Sequence, residues 1–209
     1  MEYKTHRYGG MCAGAIASSY IYGIKYLNYF NPQAFNTEAV IGTAVLIASG
    51  AIGSLIPDID HSNSRISRDN RLLSIITQLF LGISRAITSI ILFFCFWISK
   101  RRKNEILSGM EHRGIFHTLL MTFAIYLLFG FICQFIPFYG KLIQIGVTVG
   151  YLSHILVDML TKGGVMLFYP IITYKFHYPF IRLTTGKHEI IAAIIITLVT
   201  ITSIFLLNI

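Results

Sequence analysis

The chain has 209 residues, of which 55% are hydrophobic and only 12% charged, and its formal net charge is +8. A soluble domain carries about 25% charged residues, so this composition excludes an ordinary soluble enzyme and points to a single domain, residues 1–209, built in a membrane. The connecting loops are too short to hold a separate soluble domain, so any chemistry must be assembled from helix ends and short loops.

Runs of about 20 apolar residues, the length that crosses a bilayer, are read in chain order at Met11–Phe30, Ala39–Pro57, Ile115–Ile136, Lys141–Leu160 and Ile190–Ile209. The expected fold class is therefore all-α, a polytopic bundle of five spanning helices. Lys4 and Arg7 before the first run resemble the start of a signal peptide, but the run is long enough to remain as a membrane helix. Cys12, Cys95 and Cys133 lie in apolar runs without CxxC spacing, so they are expected to pack rather than to pair or bind metal.

Basic residues set the expected topology. Lys4/Arg7, Arg65/Arg68/Arg71, Lys100/Arg101/Arg102/Lys103/Arg113 and Lys162/Lys175/Arg182/Lys187 are fourteen of the seventeen, leaving Lys25, Arg85 and Lys141. Placing all four groups in the cytoplasm requires Leu72–Ser99 to begin and end on one side. That stretch reads as a re-entrant or interfacial helix pair; the alternative is one long tilted crossing with Arg85 paired inside the bundle. The basic run at 100–103 is expected to meet anionic lipid rather than nucleic acid. The segment Thr161–Glu189 is expected along the interface, with Tyr169, Tyr174, Tyr178 and Phe180 at headgroup depth. His177 and His188 are read as interfacial, and Glu189 as a partner of its own helix dipole.

This topology collects the ionisable residues on the cytoplasmic face. His6 opens the first helix; Asp58, Asp60 and His61 follow the second; His112 and His117 precede the run beginning at Ile115; His154 and Asp158 close the run ending at Leu160. An ionised carboxylate at mid-membrane is disfavoured by roughly 2.5–3.5 kcal/mol on insertion scales, and a bound cation is its natural partner. Imidazole with carboxylate suits zinc, with manganese or iron as alternatives, and eight donors suit two ions better than one. His154 and Asp158 are four apart and share a helix face. Stepping back by fours gives Gly150 and Gly146; stepping forward from His6 gives Gly10 and Gly14. These are small-residue stripes that let membrane helices approach closely, on the same faces as the ligands.

Two divalent ions side by side lower the pKa of a shared water and hold a phosphoryl oxygen. Arg113 is the expected binder of a substrate anion, and Asp58 or Asp60 the expected general base. Membrane lipid is the expected partner surface. An ion- or proton-coupled transporter is the alternative, since His and Asp also line ion paths. Oligomeric state is not legible.

Thr5-His6, Leu55-Ile-Pro-Asp-Ile-Asp-His61, His112-Arg-Gly-Ile-Phe-His-Thr118, Gly150-Tyr-Leu-Ser-His-Ile-Leu-Val-Asp158 and Gly164-Val-Met-Leu-Phe-Tyr-Pro170 together resemble the YdjM-like family of inner-membrane-associated metal-dependent hydrolases, over nearly the whole chain. The resemblance implies a multi-pass cell-membrane protein whose ligand order is remotely similar to zinc-dependent phospholipase C and P1-type nucleases, and with it metal-assisted hydrolysis of a small anionic or lipid-borne phosphoester. Ser62 stands where proline is frequent and Phe116 where a small polar residue is common; neither departure removes a ligand.

Overall fold

The structure, a computed structural model, describes residues 1–23, 37–60, 104, 115–169 and 171–207, the side chains of Ile59 and Asp60 excepted. The expected helix pair at 72–99, and His61, His112 and Arg113, lie outside the described residues. Five α-helices form: α1 (Tyr3–Tyr22), α2 (Thr37–Gly53), α3 (Leu119–Cys133), α4 (Gly140–Met159) and α5 (Glu189–Leu206). Short 3₁₀ turns at Pro57–Asp60 and Ile115–His117 follow α2 and precede α3. Among the described residues there is no strand beyond the isolated bridges Thr161 to Leu183 and Val165 to Phe176.

The all-α class holds, but the described residues do not supply five helices of spanning length and apolarity. Two meet that standard, α4 with 20 residues and α5 with 18. α2 and α3 are apolar but have only 17 and 15 residues. α1 has 20 residues, yet it carries Lys4, His6 and Arg7 in its first two turns. It also begins well before the predicted Met11, because its buried face is made of Thr5, His6, Gly9, Gly10 and Gly14. Hydropathy locates the most apolar window, whereas packing against neighbours decides where the helix starts. Gly23, at φ 68°, ends it in the left-handed region that only glycine enters freely.

Three glycines, Gly10, Gly50 and Gly150, govern the centre of the bundle. A Cβ on Gly10 of α1 would run into Gly50 O of α2, and a Cβ on Gly150 of α4 would meet the backbone of the same Gly50. Three helix backbones therefore converge at one point, as the small-residue stripes predict. In lipid, where no hydrophobic force separates helix from solvent, such close van der Waals packing is what drives association. α3 lies against α4 and buries Ile125 with Val147, Tyr151 and Ile155. α5 packs on α1, and Ala192 is its buried residue; its other apolar side chains, among them Ile190, Leu198, Ile201 and Phe205, are exposed. A soluble monomer rarely leaves so continuous an apolar surface uncovered.

The segment between α4 and α5 folds back over the end of α4. Leu183 N–H donates to Leu160 O (2.7 Å) and Tyr178 N–H to Met159 O (3.1 Å). Tyr174, Tyr178 and Phe180 are exposed, but Tyr169 is buried, a correction to its expected interfacial place. The Val165 to Phe176 bridge folds this stretch against the bundle, and burial pushes the Tyr169 phenol up to about 12.

Candidate metal centre

Four elements bring the described ligand candidates to one end of the bundle. His6 comes from the first turn of α1, Asp58 from the 3₁₀ turn after α2, His117 from the 3₁₀ turn before α3, and His154 and Asp158 from the last turns of α4. His6, His117, His154 and Asp158 are all 1% exposed or less, whereas the Asp58 side chain is 27% exposed. Asp58 thus forms the open edge of an otherwise enclosed cluster.

The donor atoms face one another. His154 Nε2 lies 3.2 Å from His117 Nε2, 3.6 Å from Asp58 Oδ1 and 3.7 Å from Asp158 Oδ2. His117 Nε2 lies 3.5 Å from Asp158 Oδ2 and 3.9 Å from Asp58 Oδ1. Ligands on a tetrahedral zinc at about 2.0–2.2 Å stand about 3.3–3.6 Å apart, so these separations are close to the edges of a coordination polyhedron. His117, His154 and Asp158 form one group able to hold a metal ion, and His6, Asp58 and His154 a second, overlapping group.

The tautomer of His154 is fixed by its neighbour. Its Nδ1 lies 2.6 Å from Ser54 O, and a carbonyl only accepts, so Nδ1 carries the proton and Nε2 presents its lone pair to the cluster. This is the outer partner that metal-binding histidines usually have. The carbonyl is available because α2 ends early: Leu55 and Ile56 N–H bond back to Ile52 O and Gly53 O in a tightened last turn, and Pro57 starts the next turn at a position where its missing N–H costs nothing. The apolar run read as far as Pro57 therefore outlasts its helix by four residues, α2 ending at Gly53.

Asp158 faces both sides of the cluster. Its Oδ2 addresses His117 and His154, while its Oδ1 lies 3.4 Å from His6 Nε2 and 3.6 Å from the Met1 amino group. His6 stacks on His154 with ring centroids 3.7 Å apart. His6 Nδ1 is buried with no hydrogen-bond partner among the described residues, an arrangement that disfavours the fold by about 1–3 kcal/mol if nothing compensates it. Mutually facing lone pairs, shared carboxylates and an orphaned ring nitrogen are what a divalent-cation site requires, and the residues present fit one.

Of the eight predicted ligands, five are thus brought together. For Asp60 the described backbone follows Asp58 in the same turn. His177 and His188 have other partners: His177 Nδ1–H donates to Thr161 O and His188 Nδ1 accepts Thr184 N–H. Two contributors were missed. Ser54 acts through its carbonyl, which no side-chain pattern signals. Tyr151 donates its hydroxyl to Phe116 O and so holds the turn that carries His117; its position three residues before His154, on the same helix face, was a readable sign. Tyr151→Phe is expected to cost about 0.5–1.5 kcal/mol and to weaken zinc binding several-fold, checked by thermal denaturation with and without added zinc.

A family model described as YdjM inner membrane protein matches residues 1–208. The uncharacterized protein YvsG of Bacillus subtilis (strain 168) is 29% identical over 170 residues, covering 81% of this chain and 74% of that protein. Inner membrane protein YdjM of Escherichia coli (strain K12) is 35% identical over 128 residues, covering 60% of this chain and 49% of that protein, and the Shigella flexneri protein of the same name matches equally. The chain spans about half the length of those two relatives. No solved structure matches.

Proposed function

The chain belongs to the YdjM inner membrane protein family, and from that premise and the buried His–Asp cluster we propose a membrane-embedded, metal-dependent hydrolase acting on a phosphoester, lipid-borne or small and anionic, at the cytoplasmic face. The observation that carries this reading is the convergence of His117 Nε2, His154 Nε2, Asp58 Oδ1 and Asp158 Oδ2 at ligand-to-ligand spacing, with the His154 tautomer set by Ser54 O. Two divalent ions are proposed, zinc first with manganese or iron as alternatives, because Asp158 offers one oxygen to each side of the cluster. The positive-inside count supports the cytoplasmic placement, and on that topology α1, α2 and α3 join α4 and α5 as crossings.

Bound divalent ions bring the pKa of a coordinated water near neutrality and neutralise charge on a phosphoryl oxygen. His117 and His154 supply neutral nitrogen donors, held in orientation by Phe116 and Ser54 through the turns and bonds described. Asp158 is enclosed and serves as a ligand. Asp58, at the open edge, is both a ligand and the group placed to accept a proton from attacking water. Asp60, His61 and His112 complete the proposed donor set by their places in the sequence, and Arg113 is assigned to the substrate anion, two of whose oxygens its planar guanidinium fork matches.

The test is metal quantification on detergent-purified protein together with hydrolysis assays on phosphodiester and phospholipid panels. Wild type is expected to carry about two ions and to turn over. His154→Ala is expected to lose metal, and Asp58→Ala to lose about 10²–10⁴-fold in rate. Stoichiometric metal without turnover on any panel would replace the enzyme with a metal-stapled scaffold. Metal-free protein that carries ions across vesicle membranes would replace it with a transporter.

A further inference from the structure

Helix α1 starts without a cap of its own. Glu2 occupies the N-cap position, but its side chain makes no capping hydrogen bond. The first turn is satisfied instead from the far end of the sequence. Glu189 Oε1, in the first turn of α5, accepts Glu2 N–H at 3.1 Å and Gly186 N–H at 2.9 Å. Glu189 Oε2 accepts the hydroxyl of Thr5. One carboxylate therefore gathers donors from α1 and from the turn before α5, and sits at the positive end of both helix dipoles. Gly186, at φ 80°, gives the turn a left-handed residue that a side chain would strain, and its N–H meets the carboxylate.

Thr5 immediately precedes His6, and both are buried. Gly10, where α1 comes against the backbone of α2, lies one turn beyond His6. The turn that carries the imidazole is thus held from the α5 side, by Glu189, rather than from the glycine-packed centre. Helix ends fray when their first amides lack partners, and a frayed first turn would carry His6 Nε2 away from Asp158 Oδ1.

We propose that Glu189 is a positioning residue for the metal centre: capping α1 in trans through Glu2 N–H and Thr5 Oγ1, it sets the height and rotation of the turn that places His6 on Asp158. This rests on the reading of His6 as a metal ligand. It gives α5, which contributes no ligand among the described residues, a role in assembling the site. The carboxylate acts through hydrogen bonds alone and touches neither metal nor substrate.

The experiment is a competition titration of zinc against a chelating indicator, on the full chain in detergent. The set is wild type, Glu189→Ala, Thr5→Val, Thr5→Ser, His6→Ala and the double variant His6→Ala/Glu189→Ala. Glu189→Ala and Thr5→Val are expected to weaken one of two bound ions by about 10–100-fold, the usual loss for an outer partner, leaving the other unchanged. Thr5→Ser, which keeps the hydroxyl, is expected to bind as wild type. The double variant is expected to bind no more weakly than His6→Ala alone, because the clamp acts through His6. Should Glu189→Ala fail to fold, the Val and Ser variants of Thr5 decide the matter, since Val keeps the size of Thr without the hydroxyl and Ser keeps the hydroxyl without the methyl. Wild-type affinity in Glu189→Ala or Thr5→Val, or losses that multiply in the double variant, overturns the positioning role while the metal centre stands. Wild-type protein without zinc overturns both.

Discussion

Asp158→Asn is expected to weaken zinc binding by the purified protein by about two orders of magnitude or more. The change is isosteric, so packing in the last turn of α4 is preserved. What it removes is a buried negative charge whose Oδ1 lies 3.4 Å from His6 Nε2 and whose Oδ2 lies 3.5 Å from His117 Nε2 and 3.7 Å from His154 Nε2. Asparagine keeps one neutral oxygen donor and replaces the other with an NH2 that does not ligate, and losing a buried charged partner costs about 3–5 kcal/mol, or two orders of magnitude or more in affinity. Without metal the same change leaves the buried Met1 ammonium, 3.6 Å from Oδ1, without its counter-charge, so the metal-free variant is itself expected to be less stable than wild type. Zinc should raise the thermal midpoint of wild type, by an amount equivalent to about 4 kcal/mol at a thousandfold excess over Kd, and move that of Asp158→Asn by much less. Equal zinc content in the two proteins would remove Asp158 from the ligand set.

Gly150→Ala is expected to damage the same centre without touching a ligand. A Cβ on Gly150 would come against Gly50 O, C and Cα, and because these are backbone atoms, α2 must move as a body. Overpacking of this kind costs about 1–3 kcal/mol. α2 also ends in the turn that supplies Ser54 O to His154 Nδ1 at 2.6 Å, so its displacement withdraws the bond that fixes the His154 tautomer. Zinc affinity is expected to fall by about 10–100-fold. Gly9→Ala is the control. Its added methyl would meet Val157 Cγ2 at 3.3 Å, a side-chain methyl able to shift by tenths of an ångström, and the expected change in stability is within about 0.5 kcal/mol. Thermal denaturation and zinc titration of both variants check this; equal behaviour would mean that the approach of α2 and α4 does not govern the site.

Local chemistry was legible from the residues alone. The four-residue step from His154 to Asp158 is a property of any α-helix, and the structure puts both side chains on the cluster. The same periodicity marked Gly146 and Gly150, and Gly10 and Gly14, as a buried stripe because a helix repeats its faces whatever it packs against. The low charge content and the family motifs were equally plain. Hydropathy was less informative about helix bounds, since α1 begins among polar residues that are buried only because α2, α4 and α5 surround them.

Tertiary structure alone decided the rest. Ser54 serves through its backbone carbonyl, released where α2 tightens into its last turn, and every residue type has a carbonyl. The bond from Glu189 to Glu2 spans 187 positions, and Tyr169 is buried because the chain between α4 and α5 folds back on itself. Composition and spacing report what a residue offers and which helix face it shares. Which backbone acceptor it meets, and which distant end caps its helix, follow from how closely the helices pack, and in this protein that closeness is set where Gly10, Gly50 and Gly150 bring three backbones together.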